Sequence, residues 1–334
     1  VPAQNLPPGY VLADGDMIVP IDSFAAPESM WSGLLWPGGI IPYEFSSTEE
    51  TGVDPDNQLR MLKAMAEWEG VANVDFVPRT NQAQWIFIQS TEDGNNASIG
   101  YSPVGPLWVR IKPDEWTDRW LLAHELGHVL GLNHEHNRPD RDAHVIINWA
   151  NISTSTCSGS FPCWFNFFID PLAATFGEYD FESRMHYRED RLSANGQPTI
   201  VCRPAYIAYQ HTMGRGEHLS ILDAQGMADR YGAPSPPLIL SVSPSTVTAG
   251  GSEFTLTING RRFYRGRGDG IGVQGTQVSI QGIPVSVTVV SASQLTVTVP
   301  AEAIAVPGQV AVQVTNPSPG GGNANFFTFP ADCN

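Results

Sequence analysis

Two histidines four residues apart, His124 and His128, followed beyond a glycine by His134, are the residues of this chain best suited to do chemistry. On a helix, positions four apart lie about one turn apart on one face, so His124 and His128 can direct both imidazoles at a single ion. Gly131 can take a backbone conformation costly for other residues, which lets the chain turn sharply and return His134 as a third ligand. Three protein ligands leave one coordination position open for water, the arrangement of a catalytic zinc site. Glu125, beside the first ligand, is placed to take a proton from that water and pass it to a departing amine. A bare pair of helical histidines is often a mere surface feature; Gly131 and His134 argue against that here.

The elements that must hold this constellation are legible around it. Thr117 to Leu130 reads as a helix, with Thr117 or Asp118 as its cap, Leu122, Leu126 and Val129 toward a core, and Gly131 as its stop. Upstream, WPGGIIPYEF from Trp36 to Phe45 gives a turn and a strand. Asn57 to Glu69 places Leu59, Leu62, Met65 and Ala66 at helical spacing, and Trp85 to Gln89 and Leu107 to Lys112 are further strands. A loop-rich stretch runs to about Gly216, and Leu219 to Tyr231 is a closing helix that Gly232 ends. Residues 1–30 lack helical periodicity and read as an extended arm. After the semi-rigid linker 233–237, Val, Thr and Ser alternate between Gly-rich turns, which predicts a second, all-β domain of immunoglobulin size over 238–334.

The 334 residues exceed the usual size of one core, and 42% hydrophobic residues suffice for two. A net charge of −16 repels phosphate backbones and anionic lipid surfaces, so no nucleic-acid partner is expected. No apolar run is long enough to insert into a membrane, and the N-terminus lacks a signal-peptide layout, so any export signal is expected to have been removed. Four cysteines without a CxxC pair, with 9 Trp and 27 Pro, suit a secreted, extracellular protein. Of three possible connectivities, Cys157 with Cys163 and Cys202 with Cys333 is favoured; free buried thiols are the other reading.

HELGHVLGLNHEHNRPDRD, from His124 to Asp142, resembles the signature of the metzincin zinc metallopeptidases and, within them, of the astacin family, with Glu135 after the third histidine as the distinguishing residue. SRMHY, from Ser183 to Tyr187, resembles the family's Met-turn. WPGGIIPYEF, DFVPRT, HVIINWANI and LSILDAQGMADRYG extend the likeness over about Trp36 to Gly232. The resemblance implies an α+β metzincin-type catalytic domain over 31–232, with a mixed sheet, an active-site helix and a C-terminal helix. It also implies one catalytic zinc, Met185 as an apolar floor beneath it, and Tyr187 as a switchable ligand that swings to stabilise an oxyanion. Protein or peptide substrates follow.

LADGDMIV, from Leu12 to Val19, is similar to the family's propeptide motif, which makes Asp16 a candidate ligand that blocks zinc in a latent zymogen; a plain surface turn is the alternative. Activation then requires a protease to cut between about Ser23 and Met30, freeing an amino terminus to meet Glu135. Arg215, in MGRG, falls near the segment that lines the substrate pocket in this family, which often favours acidic residues after the cleaved bond. Arg184 inside the Met-turn, Leu132 and Asn133, and the cysteine positions depart from the family pattern and bear on pockets and disulfides rather than on the metal.

The remaining histidines, His136, His144, His186, His211 and His218, lack a partner at ligand spacing and read as structural or surface residues. Arg138, Asp140, Arg141 and Asp142 read as exposed ion pairs that order a loop. SVSPSTVTAGG and FTLTINGRRF resemble IPT/TIG immunoglobulin-like domains, a fold suited to binding an extracellular protein or glycan. There Arg261, Arg262, Arg265 and Arg267 form a local basic patch, and Arg267, Gly268 and Asp269 spell an adhesion tripeptide within what reads as a solvated loop. A secreted adhesion or matrix-binding protein with an inactive peptidase domain is therefore the rival to an endopeptidase.

Overall fold

The computed structural model describes residues 6, 9–20, 34–105, 107–158, 161–171, 173–216, 218–263, 275–291, 293–317, 322–323 and 327–332. The chain forms two compact units, residues 1–60 with 76–226 and residues 61–75 with 227–334. The expected cleavage segment Ser23 to Met30, Cys333, and Arg265, Arg267, Gly268 and Asp269 lie outside the described residues.

The first unit is built on a mixed seven-stranded sheet. Its strands are β1 (Tyr10–Ala13), β2 (Met17–Pro20), β3 (Ile40–Phe45), β4 (Asp75–Pro78), β5 (Ile86–Ser90), β6 (Asn96–Ser98) and β7 (Leu107–Ile111), in the order β1-β2-β6-β7-β5-β3-β4. The pairs β3–β5 and β5–β7 are parallel, while β6 runs antiparallel to β7. Every residue of β7 is buried, as a strand covered on both faces requires.

Helix α2 (Arg119–Val129) begins where Asp118 Oδ1 accepts from the Leu121 N–H at 3.1 Å, which settles the cap on Asp118. Two other helices, α1 (Pro55–Glu69) and α3 (Ile221–Tyr231), contribute residues to both units.

The N-terminal arm is not simply extended. It is an antiparallel hairpin in which Val11, Leu12 and Ala13 face Val19, Ile18 and Met17. One face packs Leu12 and Ile18 on Trp108; the other packs Ala13, Met17 and Val19 beside Ile99. With both faces covered, the strands show short apolar runs instead of alternation, which is why periodicity missed them.

Between the sheet and α3 the chain is mostly loop. It is pinned by β8 (Val145–Ile147) pairing with β11 (Ile200–Cys202), and by β9 (Thr156–Ser158) pairing with β10 (Phe161–Pro162). The expected disulfide Cys157–Cys163 is present beside β9 and β10. The expected partner of Cys202, Cys333, lies outside the described residues; Cys202 is a free thiol in an apolar cluster with Val145, Phe181 and Met213, where burial pushes it up to about 11.

The second unit contains a β-sandwich. One sheet orders β12 (Leu238–Ser243), β14 (Phe254–Arg261), β18 (Gln294–Val299) and β17 (Val287–Ser291). The other orders β13 (Val247–Thr248), β21 (Phe327–Asp332), β19 (Gly308–Asn316), β15 (Gln277–Ile280) and β16 (Ile283–Val285), with β20 (Gly322–Asn323) on β19. Alternate residues point inward: Leu256 and Ile258, Leu295, Val297 and Val299, and Val310, Val312 and Val314 make the core with Phe263 and Phe329. Among the described residues no helix is long and apolar enough to cross a membrane.

Candidate metal centre and active-site cleft

Burial of Leu121, Leu122, Leu126 and Val129 fixes α2, and the ring centroids of His124 and His128 then lie 4.7 Å apart. Gly131 sits at φ +92°, and the carbonyls of His128 and Gly127 accept from the N–H groups of Gly131 and Leu132. That capped turn ends the helix and brings His134 back across it. The Nε2 atom of His124 is 3.2 Å from that of His128 and 3.4 Å from that of His134.

The other side of two rings is fixed. His124 Nδ1 lies 2.9 Å from the Arg184 carbonyl and His128 Nδ1 2.8 Å from the Leu132 carbonyl. Carbonyls only accept, so each Nδ1 holds the proton and each Nε2 turns a lone pair inward. Asp16 completes the group: its Oδ1 is 3.2 Å from His134 Nε2 and 3.5 Å from His128 Nε2, and its Oδ2 is 3.5 Å from His124 Nε2. All four residues are buried, and their donor atoms lie within 4.8 Å of one another.

Acceptors packed against acceptors repel unless a cation lies among them. Ligand distances of about 2.0–2.1 Å to a tetrahedral zinc imply donor separations of about 3.4 Å, which these spacings match. The donor set therefore fits zinc. Burial holds His134 down at about 4 and lowers His124, which keeps both rings neutral and able to ligate.

The hairpin turn delivers Asp16. The Ala97 N–H donates to the Asp16 carbonyl at 2.8 Å, Asn137 Nδ2 donates to Asp14 Oδ2 at 2.7 Å, and Tyr187 Oη donates to the Asp14 carbonyl at 2.8 Å. Gly15, at φ +92°, passes so close that a Cβ there would lie 3.1 Å from both Asn166 Nδ2 and Tyr187 Oη.

Met185 is buried, and its carbonyl accepts from the Glu135 N–H, next to the third histidine, at 3.0 Å. Asp223 ties this turn to α3 by accepting from Ser183 Oγ and from the Arg184 N–H, both at 2.7 Å. Tyr187 is buried against His136, ring centroids 4.0 Å apart, and against His134 at 4.6 Å. Glu135 Oε1 accepts from Arg138 Nη1 and from the Asp180 N–H, and burial raises its carboxyl to about 8.

The expected ion pairs form, Arg138 with Asp140 at 2.8 Å and Arg141 with Asp142 at 3.0 Å, but their arginines do not sit at the surface. Arg138 and Arg141 are buried: Arg138 donates to Glu135, Asp140 and the carbonyls of Phe176, Gly177 and Glu178, and Arg141 donates to the carbonyls of His136 and Phe167. They satisfy loop carbonyls that no regular element could pair, a role no sequence spacing reveals.

Glu125 is fully buried, and neither carboxylate oxygen has a hydrogen-bond partner among the described residues. Burial first, then the Asp16 charge, raises its carboxyl well above the usual range. It lines a cleft of about 580 Å³ together with Trp120, His124, Tyr187, Arg188 and Arg191. Arg215 does not line this cleft; it points at Glu189, with Nη2 3.5 Å from Oε1. Of the five histidines read as structural or surface residues, none joins the four-residue cluster, and His136 and His186 are buried.

A helix-borne histidine pair and a third histidine past a glycine, closed by a buried carboxylate on a mixed-sheet scaffold, form the site of a zinc metallopeptidase. Residues 31–232 match the astacin peptidase family, and the chain belongs to that family. Residues 237–329 match the IPT/TIG domain.

Among curated proteins, the chain is 34% identical over 169 residues to zinc metalloproteinase nas-14 of Caenorhabditis elegans, covering 50% of this chain and 32% of that protein. It is 33% identical over 207 residues to Tolloid-like protein 2 of Homo sapiens, covering 60% of this chain and 19% of that one. It thus spans a third or less of either relative. Among solved structures it is similar to high choriolytic enzyme 1, a hatching enzyme zinc-protease from Oryzias latipes, with 28% identity and a TM-score of 0.50 over 60% of this chain and 94% of that one.

Proposed function

We propose that the chain is a secreted zinc endopeptidase in latent form, hydrolysing protein or peptide bonds once its N-terminal hairpin is removed. The observation that carries this reading is the buried convergence of three histidine Nε2 atoms and the Asp16 carboxylate, with Glu125 beside them. Zinc, when held by His124, His128 and His134, supplies Lewis acidity to water and to a substrate carbonyl.

The chain's own residues do the rest. Glu125, buried beside the first histidine, takes the proton from the attacking water and hands it to the leaving amine. Tyr187 turns its hydroxyl from the Asp14 carbonyl to the developing oxyanion. Met185 floors the site. Asp16 holds the fourth position until a cut between Ser23 and Met30 releases the hairpin, and Glu135 receives the new amino terminus. Residues 1–30 act as the propeptide and 31–232 as the catalytic domain, joined by 233–237 to a binding domain at 238–334.

The test is casein cleavage after limited treatment with chymotrypsin, which can cut after Phe24 and is then inhibited, with and without a chelator, for wild type and Glu125→Gln. Chelator-sensitive activity in wild type that falls at least about 100-fold in Glu125→Gln supports the mechanism. Cleavage indifferent to both treatments rejects it. Bound zinc without activity favours an adhesion protein instead.

A further inference from the structure

Asn166 is 1% exposed, yet neither atom of its side-chain amide has a hydrogen-bond partner among the described residues. Its position is not incidental to the site. The Asn166 carbonyl accepts from His136 Nε2 at 3.1 Å, and the His136 ring stacks on Tyr187 at 4.0 Å. The amide itself reaches round to the far end of the same phenol: the point a Cβ on Gly15 would occupy is 3.1 Å from Asn166 Nδ2 and 3.1 Å from Tyr187 Oη. Only the side-chain-free backbone of Gly15 fits between them.

We infer that Asn166 is a positioning residue for Tyr187, whose hydroxyl oxygen accepts a hydrogen bond from the Asn166 amide once the hairpin has left. In the latent chain the hydroxyl spends its proton on the Asp14 carbonyl, and Gly15 fills the space beside Asn166. Removing residues 14 to 16 takes away that acceptor and opens the gap. A buried amide with no partner then faces a phenol oxygen with free lone pairs. Donation from Nδ2 to Oη uses the oxygen but not the O–H, so the hydroxyl stays available to point at a substrate oxyanion and becomes a better donor. The role rests on Tyr187 acting as proposed above.

The experiment uses enzyme processed with chymotrypsin, which can cut after Phe24 and is then inhibited. Asn166→Ala should lower kcat about 10-fold with KM within about twofold, because the interaction serves the transition state. Asn166→Asp keeps the volume, replaces the donor with an acceptor, and should fall similarly; it serves if the Ala variant does not fold. In a Tyr187→Phe background Asn166→Ala should change kcat less than about twofold, since the two residues act as one unit.

A crystal structure of the processed enzyme should show Asn166 Nδ2 and Tyr187 Oη within about 3.2 Å. An active wild type with unchanged Asn166 variants, an undiminished effect in the Tyr187→Phe background, or an amide still without a partner overturns this role alone. An inactive processed wild type overturns the catalytic reading and this role together.

Discussion

Tyr187 and Asp14 are joined by a 2.8 Å hydrogen bond from a phenol to a main-chain carbonyl, two residues before the carboxylate that faces the three histidines. One turn of backbone therefore engages both the metal-binding group and the hydroxyl proposed to serve the oxyanion. On the proposed reading, blocking and switch-holding are one structural event, and substitutions in the turn should affect them together.

Asp16→Ala should raise peptidase activity of the uncleaved chain about 10-fold or more, since about 1.4 kcal/mol of lost blocking is already tenfold. Zinc content should remain one ion per chain. A fluorogenic peptide assay before any processing, paired with metal analysis, checks both; silent precursor with full zinc would exclude Asp16 as the blocker.

Gly15→Ala should loosen the same turn without touching the carboxylate. A positive φ of +92° and contacts of 3.1 Å to two side chains make a Cβ unwelcome there. Strain of about 1–2 kcal/mol corresponds to roughly tenfold higher basal activity. The variant processed after Phe24, having lost the residue, should match processed wild type.

Asp180 gives a pH dependence with a definite sign. Burial and the neighbouring Asp223 charge raise its carboxyl to about 7, against about 3.9 unfolded. The fold binds that proton more tightly than the unfolded chain, so its contribution is greatest at acid pH and is lost as pH rises from about 4 to about 7. Asp180→Asn should therefore gain on wild type in urea unfolding between pH 5 and pH 8. A stability difference that stays constant across that range rejects the shift.

Arg138→Ala should cost about 3–5 kcal/mol, because it leaves three buried loop carbonyls and the Glu135 carboxyl without their donor. Arg138→Lys should recover only part, since an ammonium cannot reproduce the planar fork. Thermal scans should show the Ala variant melting about 10 °C below wild type.

How much of this was visible in the sequence depended on whether the signal was local. His124, His128, Gly131 and His134 lie within one turn-and-helix, so spacing alone located the ligands, and Asp118 was a legible cap. The sandwich strands β14, β18 and β19 alternate cleanly because one face of each sheet is packed and the other is not. The hairpin hid because both its faces are covered. The contacts of Arg138, Arg141 and the Asn166 carbonyl hid because they involve main-chain groups brought together only by folding. Cys202 was paired on parity of cysteine number, a rule that cannot see an apolar pocket able to keep a thiol to itself.

In the sheet order, β2 lies on the outer side of β6 and pairs with it at Met17–Ala97 and Ile18–Ser98. Stripping the hairpin away would turn β6 from an interior strand into a rim whose amides and carbonyls have nothing to bind. The same cut that lends the molecule its reactivity would also make it adhesive along that rim, so an extended peptide seeking hydrolysis and a sister molecule seeking to aggregate would compete for one berth.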